Sequence, residues 1–416
     1  MVAAVFQALD REGLYWCLLR GEAMLEQASG DVDLLIPPAD LPRLRRVVGE
    51  FGFTPVPAWG YGSHRFFMGY DPATDRWVKL DVVTDLSFGP GFALPTGAEA
   101  ACLERRQRQG GLAVLDSDDA FWALLLHRLL DKGSMTEDAT ARLRELAAAA
   151  RADGPLATRV DAVCPPGWSA PRMLSLARDG EWGALTALGP QLAASWRRRA
   201  RVAVWRRASA ATAGRWAGRL LRLRYRRGLG VAVLAPDGAG KSTLVQGLHE
   251  TFAFPARARY MGPYQRPAGR PGRALPPGLG LALRLCGLWG RWLEGAYHRS
   301  RGRLVIFDRY VTDALLPPRR PLGRLGRARR WVIGRCLPPP GLMIVLDAPG
   351  TVLHQRKREQ DPGVLEAERQ AYRALAQQAR RSAVLDATQP ADHVRREATA
   401  AVWQAYGQRW GRWRAP

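Results

Sequence analysis

The stretch "LGVAVLAPDGAGKSTLVQGLHETF" (229–252) constrains this chain most. Its apolar run "VAVL" (231–234) has the length of a buried strand, and "STLVQGLHETF" (242–252) has helical spacing. A strand that enters a glycine-rich turn and leaves as a helix is suited to hold an anion. The glycines let the backbone curl so that several N–H groups face one point, and the helix adds its positive end. The pattern G-x-x-x-x-G-K-[ST] is met over 235–242 except at its first position, which is Ala235. A Cβ is tolerated there if φ stays negative. The inner glycines, Gly238 and Gly240, are present. Asp237, Gly238, Ala239, Gly240, Lys241, Ser242 and Thr243 are therefore the candidate phosphate-binding residues. Lys241 would reach the β- and γ-phosphates of a bound nucleotide, and the Ser242 hydroxyl would ligate Mg²⁺.

Two later runs fit the same chemistry. "RLVIFDRY" (303–310) reads as an apolar strand ending in Asp308 and Arg309. In an open parallel sheet the carboxyl ends of the strands surround the ligand, so Asp308 would hold Mg²⁺ or its water and Arg309 would grip a second phosphate. An ordinary strand-end ion pair is the other reading. "LMIVLDAPGTVLHQRKREQD" (342–361) gives another strand, a turn and a helix bearing Arg356 and Arg358. These two would close over a transferring phosphoryl group, or they are solvated surface arginines. From 229 onward strands and helices alternate, as a parallel sheet covered by helices requires.

Composition matters most just before this region. Of the 62 basic side chains four are lysine, and the formal net charge is +24. Such a charge favours acidic partners, although a general drift toward Arg, Ala, Gly and Pro accounts for it equally well. Lys241 is one of those four lysines, at a place where a compact point charge suits the chemistry. Residues 196–228 carry twelve Arg, three Trp and no acid. This reads as a basic linker. Contact with nucleic acid or an anionic membrane surface through 196–227 and a solvated interdomain helix are both open. The five cysteines form no C-x-x-C pair and no His cluster adjoins them, so neither zinc nor a disulfide framework is expected. The N-terminus lacks the pattern of a signal peptide and no long uncharged apolar run occurs, so the chain is expected to be cytoplasmic.

Residues 1–112 read as mixed helix and strand, and 113–195 as a helical annex. In "RGEAMLEQASGDVDLLIPP" (20–38), Asp31 and Asp33 sit two apart at the start of a strand and share a face. Asp81 lies on a later strand, "RWVKLDVVTDL" (76–86). Three carboxylates on adjacent strands would make a hard oxygen site for two Mg²⁺ ions, which stabilise an attacking oxygen and a leaving pyrophosphate together. Acids that merely cap turns are the alternative. His64 and His127 are expected to pack or hydrogen-bond locally.

The carriers "PDGAGKST", "VIFDRY", "IVLDAPGTVLHQRKRE", "AERQAYRALA" and "VLDATQPADHVRREATAAVW" occur in one order. With them, residues 229–416 resemble the thymidylate kinase family of P-loop nucleotide kinases. The resemblance implies an α/β fold with helices on both faces of a parallel sheet, and ATP and Mg²⁺ as cofactors. It also implies γ-phosphoryl transfer to a nucleoside monophosphate or related phosphorylated small molecule, and a homo-oligomer. Asp237 would face the acceptor, Arg309 would bind its phosphate, Arg356 and Arg358 would belong to a lid, and "DATQP" (386–390) would lie near the adenine. No "REPGG"-like stretch follows the first helix, and "VTDALLPPRR" (311–320) lacks the family's Ser and Tyr-Gln pattern. Phosphoryl transfer is thus better supported than the thymidylate acceptor, and Asp313 either contacts the acceptor or caps a turn. Residues 14–90 resemble nucleotidyltransferases of the DNA polymerase β type, which implies an α+β domain with Asp31, Asp33 and Asp81 as metal ligands. Here Glu22 stands where that family has Ser. A nucleotide-gated binding protein or an adaptor with degenerate sites is the competing functional class.

Overall fold

The structure, a computed structural model, describes residues 1–20, 31–56, 58–224, 228–263, 279–318 and 321–410. The chain divides into two compact units, one formed mainly by Met1–Asp71 with Arg76–Leu220 and the other by Leu221–Arg414.

The N-terminal unit contains β1 (Cys17–Arg20), β2 (Asp31–Leu35), β3 (Thr54–Val56), β4 (Arg65–Asp71), β5 (Arg76–Val83), β6 (Ser87–Phe88), β7 (Leu94–Pro95), β8 (Gln107–Gln109) and β9 (Leu112–Val114). The main sheet is mixed, in the order β3-β4-β5-β2-β1-β9-β8, and β6 pairs with β7 separately. β2 runs parallel to β5, with Asp31 opposite Lys79 and Asp33 opposite Asp81. One face of the sheet packs on Val2–Arg11 and Leu41–Glu50 through Val5, Leu9, Leu34, Leu44, Val48 and Leu80.

The helices that follow do not form a core of their own. Cys17, Leu35 and Val83 from the strands join Phe121, Trp122, Leu143, Met173, Leu188 and Trp196 in one buried cluster. The helix Ser117–Leu126 is capped by Asp116, whose side chain accepts from the Asp118 N–H, and a π-helical turn carries it on to Gly133, which stops it with φ 66°. Gly189, on the helix Trp182–Arg199, lies so close to the Leu129 carbonyl oxygen that a Cβ would sit 2.9 Å from it.

The arginine-rich stretch is helical over Arg201–Arg224. Val204, Arg207, Ala211, Gly214 and Gly218 face inward, at the three- and four-residue spacing of one helical face. A Cβ at Gly214 would lie 2.7 Å from the Gly60 nitrogen, and one at Gly218 would lie 2.9 Å from the Trp59 ring. Arg207 pairs with Asp85 at 2.8 Å. Up to Leu220 this helix belongs to the N-terminal unit.

The C-terminal unit is built on five described strands: β10 (Gly230–Leu234), β11 (Ala256–Tyr260), β12 (Leu304–Asp308), β13 (Leu342–Asp347) and β14 (Ser382–Asp386). Their order is β11-β12-β10-β13-β14, and every pair is parallel. All five residues of β10 are buried, as the "GVAVL" run requires of a central strand covered on both sides. Ala232, Leu234, Val305, Phe307, Met343 and Val345 pack against the helices Leu279–Ser300, Arg324–Arg335 and Pro362–Gln378 through Leu288, Ile333 and Tyr372. The helices Lys241–Thr251 and Ala391–Trp410 cover the opposite face. The chain passes from β10 to β11 and β12 on one side and then to β13 on the other. The carboxyl end of β10 is therefore the place where connections diverge and a crevice opens. No described helix of the chain is long and apolar enough to cross a membrane.

Candidate active site

The loop 235–240 leaves β10 at that crevice. Gly238 and Gly240 have φ of 88° and 87°, a region that a side chain makes costly. Among the described residues positive φ outside glycine occurs at Asp75, Phe92 and Arg309, so Ala235 avoids it and its Cβ is accommodated. A Cβ on Gly240 would meet nothing within 4 Å, which leaves open space in front of the helix N-terminus. At Gly238 it would lie 2.9 Å from the Leu353 carbonyl oxygen, because the short helix Gly350–Arg356 packs against the loop.

Lys241 opens the next helix and is only 9% exposed. Its Nζ donates to the carbonyls of Ala235 at 2.9 Å and Pro236 at 2.8 Å, and lies 3.4 Å from Asp237 Oδ1. Burial, and then the neighbouring Arg309 guanidinium, lower its pKa. Asp237 also accepts from Arg309 Nη2 at 2.5 Å and from Gln360 Nε2 at 3.4 Å. Burial raises the pKa of Asp237, but Lys241 and Arg309 outweigh it and hold the carboxyl below the usual range. Arg309 reaches Asp313 Oδ2 as well, at 3.3 Å. Asp313 is 6% exposed, and burial pushes its pKa up to about 6 against the pull of Arg309. Tyr372, fully covered beneath, completes the cluster.

Asp308 ends β12 opposite Val233. It lines a cleft of about 340 Å³ with Ser242, Gln246, His249, Arg257 and Arg259, so Ser242 and Asp308 share one space. On the other side of the loop a smaller pocket of about 150 Å³ is lined by Gly240, Thr243, Arg356, Ala387, Gln389 and Val394. Arg356 donates to the Ala387 carbonyl at 2.8 Å there. Arg358 is exposed two residues on. Asp386 closes a turn by accepting from the Thr388 N–H and hydroxyl at 2.9 and 2.6 Å.

The loop residues, Asp308 and Arg309 thus come together, and Arg356 meets "DATQP" rather than the loop lysine. Sequence reasoning missed Gln360 and Tyr372. Tyr372 stands at a core position of "AERQAYRALA", and its spacing marks it as buried without saying which acid it faces.

In the N-terminal unit the register sets Asp33 beside Asp81. Asp31 forms an ion pair with Lys79, and His64 Nδ1 lies 2.8 Å from Asp81 Oδ1. The Phe92 ring lies tilted against His64, with ring centroids 3.9 Å apart. Among the described residues no group of three or more His, Cys, Asp or Glu is arranged to hold a metal. Glu22, with the rest of 21–30, lies outside the described residues, as do 264–273 of "RYMGPYQRPAGRPGR" (259–273), which stands where a "REPGG"-like stretch would fall. His127 bonds Asp131 at 2.8 Å, a local contact.

Fold and site together define a Rossmann- or P-loop-like parallel α/β unit preceded by a mixed-sheet unit. No protein-family model matches the chain, and a search of curated proteins found no match.

Proposed function

We propose that the C-terminal unit is an ATP- and Mg²⁺-dependent phosphotransferase of the thymidylate-kinase type. Its acceptor is a nucleoside monophosphate or a related phosphorylated small molecule. The observation that carries this reading is the meeting of Lys241, Ser242, Asp308 and Arg309 at the carboxyl end of the central strand. In the reaction an acceptor oxygen bonds to the γ-phosphorus, the β–γ bridging P–O bond breaks, and ADP leaves with that electron pair. Lys241 exchanges its loop carbonyls for phosphate oxygens, and Arg309, reached through Asp237, orients the acceptor. The Ser242 hydroxyl and the Asp308 carboxylate are hard oxygen donors facing one cleft, which fits Mg²⁺; when bound, the ion neutralises phosphate charge. The pocket between Thr243, Arg356 and Gln389 suits the nucleotide base, and the exposed Arg358 is the residue that would reach the transferring group.

For the N-terminal unit the Asp33–Asp81 register supports a second reading, nucleotidyl transfer centred on these two acids, with Asp31 paired to Lys79. The engagement of Asp31 by Lys79 and of Asp81 by His64 supports a binding role instead. Asp33→Asn with Asp81→Asn separates the two readings, because only the first predicts loss of nucleotidyl transfer.

The kinase reading is tested with γ-labelled ATP, Mg²⁺ and a panel of nucleoside monophosphates and sugar phosphates. Label should move to one acceptor and fail to move with Lys241→Ala. ATP binding without transfer to any acceptor would favour a nucleotide-gated module, and full transfer by Lys241→Ala would exclude the proposed site.

A further inference from the structure

The helix Arg201–Arg224 carries two opposite faces. Its inner face, Val204–Arg207–Ala211–Gly214–Gly218, is seated on the N-terminal unit. On the other side Val202, Trp205, Trp216 and Leu220 are 71, 70, 60 and 66% exposed. At about 100° per residue these four fall within roughly 60° of one another, about half a turn from the inner face. Ser209 and Ala213, both exposed, fill the same stripe between them, so nothing charged interrupts it. Arg201 and Arg219 flank it on one side and Arg206 on the other, and Arg219 lies over the Trp216 ring at 5.1 Å.

Four large apolar side chains held in water on a docked helix are costly unless something covers them. Charge narrows the choice of cover. Arg201, Arg206 and Arg219 stand at the margins of this face and no acid occurs from 196 to 228, so the cover is anionic. Position narrows it further. The centre of the outward face is apolar and the arginines stand at its margins. That is the layout of a helix lying at a lipid interface, with tryptophan at headgroup depth and arginine on the headgroup phosphates. A nucleic-acid surface would call for arginine along the centre of the stripe, and Val202 and Leu220 would have nothing to contact on a phosphodiester backbone. We propose that the outward face of Arg201–Leu220 docks the protein on the surface of an anionic lipid bilayer, lying on it rather than crossing it.

The test is flotation of the full-length chain with vesicles of phosphatidylcholine alone and with one third phosphatidylserine, beside a duplex DNA and an RNA binding assay. The proposal expects flotation with the serine-containing vesicles only. It also expects Trp205→Ser with Trp216→Ser to weaken that binding at least about tenfold at low salt while all arginines remain. Both positions are exposed, so an unchanged Tm should accompany the loss; Val202→Gln with Leu220→Gln tests the same stripe without touching tryptophan. Absence of flotation, or vesicle binding that high salt abolishes but both double variants leave unchanged, would overturn the proposal. So would nucleic-acid binding tighter than vesicle binding and indifferent to both variants.

Discussion

Arg309 Nη2 donates to Asp237 Oδ1 at 2.5 Å and so ties the end of β12 to the loop that follows β10. The arginine does this from the left-handed region, at φ 64°, where a side chain costs about 1 kcal/mol. Strain of this kind persists where the surroundings over-determine it, and here Asp237 and Asp313 hold the guanidinium from two sides.

Removing that guanidinium should separate binding from transfer. Arg309→Ala is expected to retain ATP binding and to lower kcat/KM for the acceptor at least about 100-fold. Arg309→Gly relieves the backbone strain and should lose transfer equally. Nucleotide-binding titration beside a labelled-transfer assay reads both effects.

Asp313 should make stability depend on pH. Its carboxyl holds a proton up to about 6 in the folded chain, against an ordinary value of 3.8. Between those values the folded state binds more protons than the unfolded one, so stability falls as pH rises through about 4 to 6. The full penalty, present above that window, is roughly 3 kcal/mol. Asp313→Asn should therefore have the higher Tm at pH 7.5 and lose that advantage near pH 4. A Tm difference that does not change with pH would contradict this.

Arg356 and Arg358 should have distinct phenotypes. Arg356 is spent on the Ala387 carbonyl beside the small pocket, so Arg356→Ala should raise KM for ATP about tenfold with little change in kcat. Arg358 is exposed, and Arg358→Ala should lower kcat about 10- to 100-fold with Tm unchanged. Steady-state kinetics at varied ATP distinguishes them.

Gly238→Ala should destabilise the loop. It forces a Cβ into φ 88° and to 2.9 Å from the Leu353 oxygen, at a cost of about 2 kcal/mol. Gly240→Ala meets the same φ but no neighbour, so the smaller loss of Tm is expected there.

The strand–loop–helix at 230–251 was legible because each step is local: an apolar run, glycines where φ is positive, and a helical repeat. Asp31 and Asp33 on one strand face were legible in the same way, from alternation, whereas the register that sets Asp33 opposite Asp81 joins strands 48 positions apart and comes from the structure. What contacts at long range decide was not legible. Residues 113–195 read as an annex, since helical periodicity marks a buried face without naming its partner, and Cys17, Leu35 and Val83 turn out to be that partner. The arginine-rich stretch read as a linker because its composition hides Val204, Ala211, Gly214 and Gly218, four small or modest side chains at one spacing. Gln360 reaches Asp237 across 123 positions, and no pattern in either neighbourhood announces it.

The glycine seat beneath the helix Arg201–Arg224 also decides where the chain can be divided. A fragment beginning at 196, where the composition shifts, would strip Trp59 and Gly60 of their cover and leave the inner face of the helix bare on the wrong half. A cut after Leu220 keeps Ala211, Gly214 and Gly218 with the surface they fit.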